Sequence, residues 1–254
     1  MKNILEAKRL NKVYEISKEN SLQVLRDVEI SIPQGEFVSV MGASGSGKST
    51  LLYNISGMDR ATSGSILLCD EEISTMGEDD LSALRLEKMG FVFQQSNLLA
   101  NLNILDNIVY PGFAAKKVNR KDIVIAAKKL MSRMGISALA DNDITQASGG
   151  QLQRVAICRA LINDPIILFG DEPTGALNSK AANDVMDILT DINGNGTTIM
   201  LVTHDAKVAA RTERVFFMAD GIIKGECRLG KSNKEQNPKA REKHLSQWLE
   251  EMGL

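Results

Sequence analysis

One stretch of nine residues constrains this chain more than any other: Gly42-Ala43-Ser44-Gly45-Ser46-Gly47-Lys48-Ser49-Thr50. It fits the pattern G-x-x-x-x-G-K-[ST], with Gly42, Gly47, Lys48 and Ser49 in the fixed places. Phe37 to Met41, just before it, is an apolar run suited to a buried strand, and Leu51 to Ile55, just after it, continues as a helix. That context turns the motif into a phosphate cradle. Glycines let the backbone curl so that successive N–H groups point inward, and the helix adds its positive N-terminal end. In such a loop Lys48 reaches the β- and γ-phosphates, and the Ser49 hydroxyl is a ligand for Mg²⁺. The stretch implies an α/β fold and a site for a nucleoside triphosphate.

The rest of the composition narrows the setting. Over 254 residues, 43% apolar content supports a substantial core. Thirty basic residues against 32 acidic ones leave a net charge of −2, which carries no basic footprint for nucleic acid. Cys69, Cys158 and Cys227 lie far apart with no C-x-x-C spacing, as in reduced, cytosolic proteins that bury thiols as small hydrophobes. Met1 to Leu10 carries charges where a signal peptide needs an apolar stretch. No apolar run approaches the roughly 18–20 residues of a membrane span, so work at a membrane would need another chain to cross it.

Taken in order, Ile4–Val13 and Val24–Ile32 read as strands joined by the polar stretch Glu15–Ser21. Ser65–Cys69 reads as a further strand, Asp79–Lys88 as a surface helix and Phe91–Phe93 as a short buried strand ending at Gln94. From Asn97 to Asp143 helical spacing dominates, which suggests a largely helical insertion between strands of a main sheet. Ser148 and Gln151 stand at capping-box spacing and open a helix that runs to about Asn163, ahead of Asp164-Pro165. Ile166–Phe169 and Thr197–Val202 read as strands buried on both faces, separated by a helix over Ser179–Ile192. Val215–Met218 and Ile222-Ile223 form a last hairpin. After a charged linker, Lys231–Lys243, the residues Leu245, Trp248, Leu249 and Met252 fall on one face of a helix. It either packs back on its own domain or docks a partner.

Several residues at strand ends suit phosphate chemistry. Asp171 follows a buried strand, where open α/β sheets place ligand groups, and can hold Mg²⁺ through water. Glu172 beside it is free to act as general base on an attacking water. His204 ends the next strand and has the reach to bond the γ-phosphate or that water. Gln94 fits the same role or that of an ordinary surface glutamine. Ser148-Gly149-Gly150, at a helix start, makes a second anion-binding corner. One nucleotide does not fill two such corners of one compact domain, so the second serves the nucleotide of a partner across a dimer.

In this order the motifs resemble those of the ATP-binding subunit of an ATP-binding-cassette (ABC) transporter, over about residues 2–228. The matching residues are Tyr14, the Gly42–Thr50 loop, Gln94, Ala147-Ser-Gly-Gly-Gln151, Ile166–Asp171 with Glu172, the segment Ala176-Leu177-Asn178, and His204. Glu36–Gly42, Gly90–Gln95 and Asp171–Leu177 are similar to one branch, which serves lipoprotein release, macrolide and antimicrobial-peptide export or resistance, and a cell-division complex. The resemblance implies a P-loop ABC ATPase with a RecA-like core, an antiparallel β subdomain and a helical subdomain at about 95–160. It places the ATPase domain at 1–230, then a charged linker and an amphipathic helix at 231–254. It implies ATP and Mg²⁺ as ligands. Lys48, Glu172 and His204 would be catalytic, with Ser49, Gln94 and Asp171 around the metal. Tyr14 would stack on adenine, and Ser148, Gly149, Gly150 and Gln151 would meet the nucleotide of a second copy or a related cassette. An integral-membrane permease is the expected partner, which sets the chain on the cytoplasmic side of the membrane as a peripheral subunit.

Two positions depart from the family pattern. Ala147 stands where leucine is usual, and Asn178 where an aspartate couples the two ATP sites. The expected function is ATP hydrolysis driving a separate permease, for export of or resistance to a peptide, antibiotic or lipid-like compound. The alternative is an ATP-switched regulator of a membrane complex, without transport. A soluble cassette acting on DNA or ribosomes lacks support, since the chain has neither a coiled-coil insertion nor a second cassette.

Overall fold

The structure, a computed structural model, describes residues 2–17, 20–231 and 238–253. The chain opens with two long antiparallel strands, β1 (Asn3–Ser17) and β2 (Asn20–Pro33). It then enters β3 (Phe37–Met41), buried at every position, which feeds the phosphate loop and helix α1 (Lys48–Ile55). Next it returns to the first layer as β4 (Ser63–Leu68) and β5 (Glu71–Glu72), completing a four-stranded antiparallel sheet in the order β2-β1-β4-β5.

The second sheet takes in α2 (Glu78–Lys88) and β6 (Met89–Phe93), and then the helical stretch α3 (Ile104–Ala115), α4 (Arg120–Arg133) and α5 (Gly149–Leu161). After these come β7 (Ile167–Asp171), α6 (Ser179–Gly194), β8 (Thr198–Val202), α7 (Ala206–Ala209), β9 (Arg214–Ala219) and β10 (Ile222–Arg228). Its strand order is β10-β9-β3-β8-β7-β6, parallel throughout except for the antiparallel edge strand β10. Parallel strands need cover on both faces, and the side-chain alternation supplies it. Val38, Val40, Ile167, Phe169, Met200 and Val202 face α1 and the antiparallel sheet. Phe37, Leu168, Ile199 and Leu201 face the core formed with the helices α3 to α6. The C-terminal ends of β3, β7 and β8 converge at one crevice, the usual ligand position in such sheets.

Helix α8 (Pro238–Glu251) packs on the far side of β3 and β9. Leu245 and Leu249 are buried with Met41, Val215 and Phe217, and Trp248 meets Phe217 edge to face at 6.4 Å. Of the two readings for this helix, the fold shows the inward one. The helix starts earlier than its apolar stripe suggests, at Pro238, a residue pre-set for a first helical turn. In those first turns the inward residue is Arg241, which donates to the carbonyls of Ala210, Thr212, Leu229 and Gly230. A buried guanidinium does here what an apolar side chain does further along, and apolar periodicity does not register it. Of the expected linker, 231–243, residues 232–237 lie outside the described residues and 238–243 belong to α8.

Elsewhere the differences are small. The polar stretch after Val13 is not a loop, because β1 runs on to Ser17 and β2 begins at Asn20, with Tyr14 opposite Leu22 and Ser17 opposite Asn20. Beyond Tyr14 the side chains of this hairpin end are exposed, so they carry no burial signal. Helices α2 and α6 and the capped start of α5 fall within a residue or two of their sequence-based bounds.

Candidate functional site

The phosphate loop holds its shape because two close approaches forbid side chains. A Cβ on Gly42 would lie 2.0 Å from the carbonyl oxygen of Met218, so strand β9 passes against bare backbone. Gly47, at φ 102°, sits in the left-handed region and caps α1. Around this loop opens a cleft of about 670 Å³, lined by Val24, Ser44, Gly45, Gly47, Lys48, Ser49, Thr50, Glu172 and His204. Ser46 Oγ is buried beside Gly42 with no hydrogen-bond partner, a spare polar atom in a loop made for phosphate.

Lys48 is folded back into its own loop, where Nζ donates to the carbonyls of Gly42 (2.9 Å) and Ala43 (2.8 Å). Burial lowers its pKa, against the pull of the Glu172 and Asp171 carboxylates. Ser49 Oγ donates to Asp171 Oδ1 at 2.9 Å, and Tyr53 Oη donates to Asp171 Oδ2 at 2.7 Å. Burial, and after it the hydrogen bond to Asp171, pushes the Tyr53 phenol up to about 12.

Glu172 leaves β7 with φ 49°, a left-handed kink that costs about 1 kcal/mol or more for a residue with a Cβ. Its N–H nonetheless stays on the ladder, bonded to Val202 O at 2.9 Å. The kink swings the carboxylate onto the end of β8. There Oε2 accepts from Thr203 Oγ1 (3.1 Å), and Oε1 accepts from the His204 backbone N–H (3.0 Å) and from ring Nδ1 (2.6 Å). A carboxylate only accepts, so Nδ1 carries the proton and Nε2 is left for the cleft.

Of the residues singled out from sequence, the structure gathers the loop, Asp171, Glu172 and His204 around one cleft. It does not bring Gln94 there. The Gln94 side chain lies against Gly175, where an added Cβ would be 3.0 Å from its amide nitrogen. Tyr14 stands beside the cleft on the antiparallel sheet. Its hydroxyl donates to Asp59 Oδ2 (2.7 Å), and Lys12 Nζ sits 4.6 Å from its ring centroid. The Ser148 corner forms a separate cavity of about 410 Å³ that shares no lining residue with the first. Ser148 Oγ caps α5 at Gln151 N, and Gln151 Oε1 answers on Ser148 N (2.8 Å). The side wall of this cavity includes Ala176, Leu177 and Asn178, whose amide caps α6 at Ala181 N (3.0 Å). An aspartate would cap as well, so the fold is indifferent to that departure. Ala147 packs at the edge of the helical core and leaves the serine and glycines at the helix start.

Sequence reasoning missed three residues at the site. Thr203 adjoins His204 but showed no pattern of its own. Tyr53 stands four residues after Ser49 on a predicted helix, a spacing that puts both on one face. Gln153 had no signal. It is buried in α5, and its amide donates to Phe93 O (2.9 Å) and Pro173 O (2.7 Å), tying the strand end before Gln94 to the turn after Glu172.

The residues present fit a magnesium nucleotide. Among the described residues no group of three or more His, Cys, Asp or Glu side chains is placed to hold a metal by itself. A hydroxyl and a carboxylate 2.9 Å apart are the sparse, hard oxygen set that Mg²⁺ uses alongside water and phosphate. Also among the described residues, no helix is long and apolar enough to cross a membrane.

Comparison with known proteins agrees with this geometry. Residues 25–175 match the family model described as ABC transporter. The lipoprotein-releasing system ATP-binding protein LolD of Aquifex aeolicus is 42% identical over 226 residues, covering 89% of this chain and 98% of that protein. The macrolide export ATP-binding/permease protein MacB of Chlorobaculum tepidum is 42% identical over 220 residues, covering 87% of this chain. The chain spans about a third of the length of that protein and of the other macrolide export proteins it matches. Two solved structures of the bacterial cassette MJ0796 also match. The dimeric form has a TM-score of 0.83 and 37% identity, and the post-hydrolysis dimer bound to ADP and Pi has 0.80 and 36%; each covers 90% of this chain and all of that one.

Proposed function

The chain belongs to the ABC transporter family, and on that premise we propose how it works. It is an ATPase that converts ATP to ADP and phosphate, and it pairs head to tail with a second copy so that each nucleotide lies between two chains. The observation that carries this reading is the separation of the two phosphate corners. The cleft at Lys48 and the cavity at Ser148 are distinct and open, and each is half of a site that a partner completes.

Within one cleft the groups divide the work. Lys48, now spent on two carbonyls of its own loop, is the cation that meets entering phosphate oxygens. Ser49 and Asp171 would hold Mg²⁺, which when bound supplies positive charge to the phosphate oxygens. Glu172, aimed by Thr203 and His204, accepts the proton of the attacking water. His204 presents ring Nε2 to the cleft, where the γ-phosphate would lie. Tyr14 presents an aromatic face for the base. Residues 1–230 form the engine, and α8 closes it from behind.

The pair drives an integral-membrane permease and lies as a peripheral subunit on the cytoplasmic side of the membrane. The cargo is a peptide, antibiotic or lipid-like compound, a reading supported by the names of the relatives, which concern macrolide export and lipoprotein release. The test is the solution mass of Glu172→Gln, by gel filtration with light scattering. With ATP the mass moves from the 27.7 kDa chain to twice that value, and steady turnover is lost. A mass that stays at one chain with ATP bound overturns self-pairing, and unchanged turnover would falsify the role of Glu172 as base.

A further inference from the structure

Asp171 has two carboxylate oxygens, and both are taken from the same helix face. Ser49 and Tyr53 are four residues apart on α1, so their side chains stand one turn above the other. The Ser49 hydroxyl donates to Oδ1 and the Tyr53 hydroxyl to Oδ2. The backbone of Asp171 is itself fixed, paired with Phe93 of β6 on one side and Val202 of β8 on the other. What remains free is rotation of the carboxylate about its own side-chain bonds.

We propose that Tyr53 is a positioning residue for the cation of the nucleotide, holding the Asp171 carboxylate at Oδ2 so that Oδ1 stays beside Ser49. The proposal rests on the reading of Asp171 as a metal-holding group. The Ser49 hydroxyl has two calls on it, the carboxylate and the cation, and the Tyr53 hydroxyl has only one. When Ser49 turns to the cation, Tyr53 alone keeps the carboxylate from swinging. The Tyr53 ring packs against the core cluster of α1 and the two sheets, so its hydroxyl is delivered from a fixed base. Packing needs only the ring, which a phenylalanine would supply equally well. The hydroxyl is what the geometry assigns to Asp171. Outer partners that orient a ligating carboxylate typically change metal affinity by about 10- to 100-fold.

The experiment measures binding of a non-hydrolysable ATP analogue to the full chain, once with saturating Mg²⁺ and once in EDTA. The ratio of the two affinities reports the metal contribution, separately from hydrolysis and from packing. In Tyr53→Phe the ratio falls about tenfold, while the affinity in EDTA stays within about twofold. A ratio equal to the wild-type value overturns the proposal. So does an equal loss under both conditions, which would make Tyr53 merely structural. Asp171→Asn separates the two levels of the argument, since it abolishes the Mg²⁺ advantage if the carboxylate holds the cation. If Asp171→Asn keeps the wild-type ratio, the metal reading of Asp171 fails and the proposal with it. If it loses the advantage and Tyr53→Phe does not, only the role of Tyr53 fails.

Discussion

Replacing Gln153 with leucine tests how firmly the helical region is tied to the catalytic turn. The two side chains are close in volume, so Gln153→Leu opens little cavity and changes chiefly the polar contacts. Two hydrogen bonds disappear, from Nε2 to Phe93 O at 2.9 Å and to Pro173 O at 2.7 Å. Each is worth about 1 kcal/mol net, and each carbonyl left without its donor costs about 1–3 kcal/mol where water does not reach. Gln153 is only 2% exposed, so water does not replace its amide. The added leucine burial returns about 1–2 kcal/mol. Together these terms give an expected loss of about 2–7 kcal/mol, read as a lower urea midpoint by circular dichroism with the slope unchanged. Because Pro173 follows Glu172 and Phe93 precedes Gln94, hydrolysis should fall more than ATP binding does. A loss under about 0.5 kcal/mol with full hydrolysis would refute the reasoning, since it would mean that neither carbonyl depends on Gln153.

Other perturbations follow from the same geometry. Gly42→Ala places a Cβ 2.0 Å from Met218 O, backbone against backbone, so ATP binding measured by calorimetry should be lost or nearly so; near-normal affinity would mean that β9 yields easily. Leu245→Ala removes a fully buried side chain from α8, at a cost of about 2 kcal/mol or more. Amide exchange followed by mass spectrometry should then quicken in α8 by roughly thirtyfold, with the main sheet unaffected. Burial raises the pKa of Glu213, so the folded chain binds that proton more tightly than the unfolded one. The cost of its charge is present at neutral pH and relieved as the pH falls through the raised folded value. Glu213→Gln should therefore melt higher than wild type at pH 7.5, the two converging toward the ordinary carboxylate range; a gap that widens on acidification would reverse the assignment.

The sequence was most legible where physical requirements are local. A strand buried on both faces reads as a continuous apolar run, which is why β3, β7 and β8 were found within a residue or two. The Ser148 cap and the Gly42–Thr50 loop are short patterns with fixed spacing, and they stand as expected. What stayed hidden depends on groups far apart in the chain. Gln153 satisfies carbonyls 60 and 20 residues away, and Arg241 satisfies others at least 11 residues away. A polar side chain whose partners are main-chain oxygens leaves no pattern of residue types. The position of Gln94 is a different matter, because its side chain adjoins Gly175 while the expected role lies at the cleft.

Trp248, on α8, is the sole tryptophan of the chain, and its ring lies against Phe217 of β9. Tryptophan fluorescence therefore has one source, seated on α8 rather than in the nucleotide cleft. A shift of its emission would report whether that helix is seated on β9. Two optical signals that usually coincide in a single cooperative unit would part company here if α8 peels away first. The strand beneath the ring, β9, also passes its Met218 carbonyl against Gly42. A fluorophore thus watches the back of the wall whose front grips phosphate, which makes the unlabelled chain its own sensor of strain crossing β9.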